Sequence, residues 1–164
     1  MTTLRVIEPG MFTTVQDLGR GGVAAVGVPP SGVADAVSLT VGNRLLGNAD
    51  GAAALECTLT GPSLTFDGEA VVCLTGAECP NARIAGTKGE RPLGWCEPTP
   101  VGAGELIKIG AMEGRARAYL CVGGGIGVPI VLGSRSTLVG ASLGGHHGRP
   151  LRKGDTVSLL SGGK

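Results

Sequence analysis

The alternation of apolar and polar residues predicts a chain built mainly from short β-strands. Residues 4–8, 105–109 and 117–122 alternate, residues 53–59, 63–66 and 70–75 form short apolar runs, and residues 156–160 predict a last strand. Gly61-Pro62 predicts a turn between two strands, and Gly76 predicts the end of a third. Residues 81–100 are rich in Gly and Pro and leave room only for short edge strands. The pattern therefore predicts a mostly-β barrel or sandwich.

One helical pattern interrupts the strands. Asp35 is placed to interact favourably with the N-terminal end of a helix dipole, and Gly47 is a typical helix stop. The spacing predicts one principal α-helix over about residues 34–46. Four apolar residues recur there at helical intervals: Ala34, Val37, Val41 and Leu45.

Composition narrows the possible partners. The chain has 164 residues, of which 42% are hydrophobic and 16% charged, so it is long enough to fold as one domain, residues 1–164, without disulfides or a metal. A net charge of +1 and very few aromatic residues argue against nucleic acid and against an anionic membrane. Neither a signal peptide nor a membrane-length apolar run is present, so we expect a cytoplasmic protein. The five cysteines lack CxxC spacing, which indicates reduced, buried thiols.

Residues 13–35 concentrate polar and turn residues that packing alone does not explain. Asp17 and Arg20 flank a Leu-Gly pair, and we assign both as candidate catalytic residues. A Gly- and Pro-rich turn then leads to Ser31 and Asp35, which we assign to substrate binding. The alternative for Asp17 and Arg20 is a turn-stabilising ion pair. Ser31 lacks the GxSxG context of a nucleophile.

The segment VLGSRST, residues 131–137, places a guanidinium directly after an apolar run. Because a planar guanidinium forms two parallel hydrogen bonds with a carboxylate, Arg135 and its neighbour Ser136 are candidate substrate-binding residues. An equally good alternative is an internal ion pair of Arg135 with Asp17, Asp35 or Glu56.

His146 lies in the polar segment GGHHGRPLRKGD, residues 144–155, and is a candidate for proton transfer, since imidazole titrates near neutral pH. The alternative is an exposed loop in which one imidazole bonds a backbone carbonyl. Adjacent histidines without a third ligand do not indicate zinc, so we predict no metal site. The glycine cluster at residues 123–127 precedes Val128-Pro129 rather than a long helix, which indicates a bend instead of a dinucleotide site.

Five strings, in this order along the chain, carry a family resemblance: TTVQDLGR at residues 13–20, GVPPSG at 27–32, NRLLGN at 43–48, VLGSRST at 131–137 and GGH.GR.L..GD at 144–155. Together they resemble the biotin-dependent carboxyltransferase family, also called allophanate hydrolase subunit 2. That family includes the C subunit of 5-oxoprolinase and the matching half of the urea carboxylase carboxyltransferase domain. The resemblance extends over nearly the whole chain, which matches the N-terminal half of a two-half protein.

The resemblance implies a cyclophilin-like β-barrel. It also implies a related partner, of the type of allophanate hydrolase subunit 1 or the B subunit of 5-oxoprolinase. The implied activity is that of an ATP-dependent 5-oxoprolinase-like complex, which converts the lactam 5-oxoproline to glutamate, with the ATP site not assigned to any residue of this chain.

The resemblance equally implies an alternative activity, a carboxyltransferase that moves carboxylate from carboxybiotin to a small amide such as urea. Because the chain has no Met-Lys-Met string, biotin would then be carried on another chain.

Two further alternatives stay open. The domain is a non-catalytic regulatory module that binds a protein partner, or the predicted residues form a purely structural polar network. We expect the fragment alone to be inactive, because the family resemblance implies a second half of comparable size.

Overall fold

The computed structural model describes residues 1–161. It contains eleven β-strands and one α-helix among these residues. The elements run in chain order as β1 (Thr3–Glu8), β2 (Phe12–Gln16), α1 (Ala36–Leu45), β3 (Ala54–Thr58), β4 (Thr60–Phe66), β5 (Ala70–Glu78), β6 (Arg83–Gly86), β7 (Gly89–Pro92), β8 (Thr99–Val101), β9 (Leu106–Ala111), β10 (Glu113–Val122) and β11 (Thr156–Ser158).

The strands form two antiparallel sheets. One sheet has the strand order β11-β1-β4-β9-β6-β7 and the other has the order β2-β3-β10-β5-β8. The mostly-β class and the single principal helix are confirmed. The predicted barrel is corrected in one respect, because the described strands pair within two separate sheets and do not close into one barrel.

The main core lies between the two sheets. Inward-facing residues such as Leu64 and Ile107 from one sheet and Leu55 and Leu120 from the other are fully buried. Apart from Phe66 the members of this cluster are aliphatic residues and cysteines, as the composition predicts. All five cysteines are free thiols, and Cys96 alone is only partly buried.

Three strand predictions need correction. β4 continues through Gly61 and Pro62, where Gly61 is buried and pairs with Gly110 of β9, so no turn occurs there. β5 continues past Gly76, which adopts φ +84 where an added Cβ would meet the backbone of Arg117. β2 was not predicted, because its side chains are buried at four successive positions and do not alternate. Glycine inside these strands thus marks a place where a neighbouring strand comes close, through the Ile109 side chain at Gly61 and the Arg117 backbone at Gly76, rather than a strand end.

The ends of α1 follow the prediction. Asp35 caps the helix, accepting hydrogen bonds from the Ser38 backbone N at 3.0 Å and from Ser38 Oγ at 2.6 Å. Gly47 follows the helix with φ +71, a conformation that suits glycine at a helix C-terminus. The predicted and observed helices therefore agree within two residues at each end.

The packing face of α1 is the reverse of what the apolar spacing indicates. Val37, Val41 and Leu45 are exposed, whereas Leu39, Gly42 and Asn43 are buried against the second sheet. A Cβ at Gly42 would lie 2.6 Å from the Cys121 sulfur. Glycine therefore allows the helix to approach the sheet closely. No helix among residues 1–161 is long and apolar enough to cross a membrane.

Candidate functional site

The end of β2 and the segment 131–137 lie side by side, although they are far apart in the sequence. The backbone N and Oγ1 of Thr137 both donate to the carbonyl of Val15, at 3.0 and 2.8 Å. This pairing places Asp17, which directly follows β2, against Ser134 and Ser136.

The Asp17 carboxylate is the centre of this arrangement. Its Oδ1 accepts hydrogen bonds from Ser134 Oγ and Ser136 Oγ, both at 2.6 Å, and from Gly19 N at 2.8 Å. Its Oδ2 accepts from the backbone N of Arg135 at 2.6 Å. Burial opposes ionisation of this carboxyl, but the two serine hydroxyls and the two backbone donors together hold its pKa below the ordinary value. Asp17 is therefore an ionised, geometrically fixed acceptor.

Arg20 is buried beside the same segment and contacts neutral oxygens. Its Nη2 donates to the Ser136 carbonyl at 2.7 Å, and its Nε lies 3.4 Å from the Val131 carbonyl. The proposed pairing of Arg20 with Asp17 is not present among the ion pairs of residues 1–161. Arg20 is instead a cation held by backbone carbonyls.

Ser31 reaches this cluster from the turn. Its Oγ donates to the Thr137 carbonyl at 3.1 Å, and the residue adopts φ 56, which is unusual for a side chain other than glycine, asparagine or aspartate. The turn is closed by a hydrogen bond from Arg20 N to Pro30 O at 2.8 Å. Gly32 makes this closure possible, because a Cβ there would lie 2.9 Å from the backbone of Gly19.

Arg135 contributes its backbone to the cluster and directs its side chain elsewhere. Its guanidinium Nη1 donates to the carbonyl of Val128, seven residues earlier in the chain. Within residues 1–161 it forms no ion pair, so the alternative pairing with Asp17, Asp35 or Glu56 is not observed there. Its assignment to carboxylate binding stays a prediction. Ser136, the other residue predicted from this string, lies in the cluster through its Oγ and its carbonyl.

Asp35 does not join this cluster. Its carboxylate caps α1 through Ser38, and the two hydrogen bonds from Ser38 lower the pKa of Asp35. Its backbone N donates to the hydroxyl of Tyr119 at 2.9 Å, and that hydroxyl donates to Glu56 at 2.9 Å. Burial and the Glu56 carboxylate raise the pKa of Tyr119. The observed contacts of Asp35 are those of a helix cap, and a role in substrate binding stays a prediction.

His146 lies on a loop that packs against the cluster, but its own partner is acidic. Its Nε2 is 3.6 Å from Asp155 Oδ1, and Arg149 holds Asp155 through two hydrogen bonds at 2.7 and 2.9 Å. Burial lowers the pKa of His146, and the Asp155 carboxylate only partly opposes that shift. The imidazole is therefore half-buried beside a carboxylate, instead of exposed and bonded to a carbonyl.

The loop that carries His146 touches Arg20 and the 134–137 segment directly. Gly144 has φ +67, and an added Cβ would collide with the Ser136 carbonyl and lie 2.8 Å from Arg20 Nη2. An added Cβ at Gly145 would likewise collide with the Thr137 side chain. These two glycines let the loop approach where any side chain would prevent it.

Three residues of the cluster were not predicted: Gln16, Ser134 and Thr137. Gln16 Nε2 donates to the Thr137 carbonyl and to Thr14 Oγ1, both at 3.0 Å. Ser134 and Thr137 belong to the same GSRST string as Arg135 and Ser136, so that string held the signal. Gln16 gave none, since a glutamine at the end of a strand is ordinarily exposed.

A spacious cleft lies elsewhere on the molecule. It has a volume of about 790 Å³ and is lined by residues that include Thr2, Val71, Pro100, Val101 and Leu159. None of the predicted site residues lines it. Asp17, Arg20, Ser134 and Ser136 are all buried, so the polar cluster around Asp17 is a packed network.

Comparisons with known proteins agree on one family. Residues 26–163 match the family described as carboxyltransferase domain, subdomain A and B. The chain is 41% identical to a urea amidolyase of Lachancea kluyveri over 157 residues, which is 94% of this chain and 8% of that protein. It is 38% identical to the C subunit of 5-oxoprolinase from Escherichia coli over 156 residues, 95% of this chain and 49% of that protein.

The fold agrees with the sequence match. The crystal structure of Kluyveromyces lactis urea carboxylase superposes with a TM-score of 0.87 at 39% identity, covering 96% of this chain and 14% of that chain. This chain therefore spans half or less of each of these relatives. Since the family match extends over most of the sequence and the structures agree, the chain belongs to the carboxyltransferase-domain family, subdomains A and B.

Proposed function

We propose that this domain supplies part of the active site of a 5-oxoprolinase-like complex, which opens a small lactam to an amino acid at the expense of ATP. The observation that carries the proposal is the meeting of two distant segments, residues 17–31 and 134–137, on the ionised carboxylate of Asp17. A network that holds a buried arginine and several hydroxyls in one place is typical of a preorganised site.

The residues divide into positioning and reacting groups. Asp17 is held ionised by four hydrogen bonds, three at Oδ1 and one at Oδ2, so it positions Ser134–Ser136 rather than accepting a proton. His146 has a lowered pKa and is neutral at neutral pH, so it is able to accept a proton. Asp155, fixed by Arg149, orients its imidazole.

A second half of the protein and a partner subunit complete the proposed active site. Because this chain spans 49% of the C subunit of E. coli 5-oxoprolinase, a second half is part of the proposal, together with a partner that resembles the B subunit of that enzyme. ATP is bound in the complex, and we assign no residue of this chain to it. The chain has no GxxxxGK[ST] string that would cradle its phosphates.

A second candidate is transfer of carboxylate from carboxybiotin to urea or a similar amide. It is favoured by the 41% identity to a urea amidolyase, slightly above the 38% identity to the 5-oxoprolinase relative. Biotin would be delivered by a carrier domain on another chain. Both candidates act on a small amide and use the same cluster.

Reconstitution separates the candidates. The full-length protein is combined with its related partner and the ATP-dependent component, and 5-oxoproline-dependent ATP hydrolysis is measured together with glutamate formation. A parallel assay offers biotinylated carrier, bicarbonate, ATP and urea. Glutamate formation supports the first proposal and urea carboxylation the second. If competent partners bind the protein and neither activity appears, the non-catalytic regulatory module is the better explanation.

Variants test the site within that assay. Ser136→Ala removes one hydroxyl from the Asp17 carboxylate, and we expect turnover to fall at least tenfold while partner binding persists. Ser63→Ala, on β4 and outside the cluster, is the matched control and leaves turnover unchanged. Equal turnover of the two variants contradicts the assignment of the cluster to the active site.

A further inference from the structure

Another pocket lies beside the only tryptophan of the chain, and it shares no residue with the polar cluster around Asp17. Its volume is about 380 Å³, within the range of about 300–1,000 Å³ that is typical of ligand pockets. We refer to it as the Trp95 pocket. Its lining consists of Gly76, Glu78, Trp95, Glu113, Gly114 and Arg115.

The sheet holds Trp95 at one edge and leaves the rest of its side chain accessible. Its Nε1 donates to the Gly76 carbonyl at 3.2 Å, and its backbone forms a bridge with Leu74 of β5. Trp95 is nevertheless 50% exposed. Because the hydrogen bond already orients the indole, a binding partner loses little free energy in ordering it. Tryptophan is also enriched among the residues that contribute most to binding at protein interfaces.

Two carboxylates share the pocket without a counter-charge. Glu78 of β5 and Glu113 of β10 are directly opposite each other in the strand pairing, and like charges in such positions repel each other. Neither glutamate forms an ion pair within residues 1–161. Arg115 lines the same pocket but pairs with neither of them in this part of the chain. A single cation placed between the two carboxylates would therefore relieve their repulsion.

We propose that the Trp95 pocket receives an arginine side chain of the partner subunit. A guanidinium stacks on the face of an indole, and its planar fork of donors suits carboxylates. An apolar side chain fits less well, because Glu78 and Glu113 would lose water without gaining a partner. The ammonium of lysine is a compact point charge, so it makes less use of the indole face than the guanidinium does.

Small probes test the pocket itself, in an NMR titration of the ¹⁵N-labelled chain at neutral pH. Because the chain has one tryptophan, its indole Nε1–H gives a single signal. The probes are N-acetyl-arginine amide, N-acetyl-lysine amide and N-acetyl-citrulline amide, which has the shape of the arginine probe without its charge. We expect saturable shifts of the Trp95 indole and the Gly114 amide with the arginine probe. The lysine probe should bind more weakly, and the citrulline probe at least tenfold more weakly.

Two variants sharpen this titration. Glu113→Gln should weaken binding of the arginine probe at least fivefold, whereas Glu69→Gln, which removes an exposed carboxylate outside the Trp95 pocket, should leave it unchanged. If Glu113→Gln does not fold, the comparison of the arginine and citrulline probes in the unaltered chain still decides. Equal binding of those two probes, equal or tighter binding of the lysine probe, or shifts confined to other residues overturns the inference.

The partner subunit as the source of the arginine rests on the proposed function, whereas recognition of a guanidinium does not. In the reconstituted full-length complex, Trp95→Leu should weaken partner binding at least tenfold, measured by calorimetry, with Glu69→Gln as the control. Unchanged partner affinity in Trp95→Leu overturns the assignment to the partner.

The outcomes also separate this inference from the proposed activity. Partner binding that depends on Trp95, in an unaltered complex without 5-oxoprolinase activity, retains the docking pocket and rejects the proposed activity. An active complex whose assembly is insensitive to Trp95→Leu does the reverse.

Discussion

Replacing Asp17 by Asn tests whether its carboxylate organises the candidate site. An asparagine keeps one oxygen and turns the other into an NH₂ group, which cannot accept a hydrogen bond. With its oxygen facing Gly19, Ser134 and Ser136, the new amide would oppose the backbone N–H of Arg135, which now donates to Oδ2 at 2.6 Å. A hydrogen bond to a charged group contributes about 1.5–3 kcal/mol, and leaving a buried donor unsatisfied costs about 1–3 kcal/mol.

We therefore expect Asp17→Asn to lower the free energy of unfolding at pH 7 by about 3 kcal/mol, measured by urea denaturation. The control is Asp67→Asn, an exposed aspartate that accepts one backbone hydrogen bond, from Thr3 N at 2.6 Å. That change should cost less than about 1 kcal/mol, because water replaces the lost partner. If both variants lose the same stability, burial and the number of donors do not decide the effect and the reasoning fails.

The acid dependence gives a second readout of the same change. The folded-state pKa of Asp17 lies below the ordinary value of 3.8, because its hydrogen bonds outweigh the effect of burial. Its contribution to stability is therefore complete above pH 3.8 and is lost as the pH falls through the folded-state pKa. The stability difference between wild type and Asp17→Asn should shrink below pH 3.8. A difference that stays constant down to about pH 2 refutes the assigned ionisation.

Three further predictions concern the surrounding structure. Gly144→Ala should lower the free energy of unfolding by about 2 kcal/mol or more in urea denaturation, because Gly144 has a positive φ and an added Cβ would collide with Ser136. Gly140→Ala is the control: it has open space around it and should change the free energy of unfolding by less than about 0.5 kcal/mol. Leu39→Ala should cost about 2–5 kcal/mol and the exposed Val37→Ala less than about 1 kcal/mol; similar losses would contradict the observed face of α1. An NMR titration should give His146 a pKa below 6.5, and a value above 6.5 would show that Asp155 outweighs burial.

Local sequence pattern predicted those strands in which the buried residues are apolar, together with the two ends of the helix. The alternating and apolar runs gave most strands, and Asp35 and Gly47 marked the two ends of α1 because capping depends on neighbouring residues. β2 escaped prediction since Thr13, Thr14 and Gln16 are polar yet buried. Thr13 Oγ1 donates to the Pro9 carbonyl, and Gln16 Nε2 donates to Thr14 Oγ1 and to the distant Thr137 carbonyl. A polar residue satisfied by such contacts looks exposed in the sequence.

The buried face of α1 also could not be predicted from the local sequence pattern. Val37, Val41 and Leu45 form the more apolar stripe. The opposite face carries Gly42, where the absence of a side chain lets the helix approach Cys121, so fit to the sheet selects the buried face. Spacing measures hydrophobicity around a helix and contains no information about the shape of the opposing surface.

The sequence by itself determined the mostly-β class, the limits of the helix, the family and the two strings from which the site is built. Only the tertiary structure decided which of those residues meet. Asp17 and Arg20 bond Ser136, and Ser31 bonds the Thr137 carbonyl, each across more than a hundred residues. Asp35, in contrast, caps a helix, and the Arg135 side chain donates to the Val128 carbonyl. The reason is physical: the contacts of Asp17, Arg20 and Ser31 require β2 to lie beside the 131–137 segment, where Thr137 bonds the Val15 carbonyl, and such long-range contact has no local sequence signature.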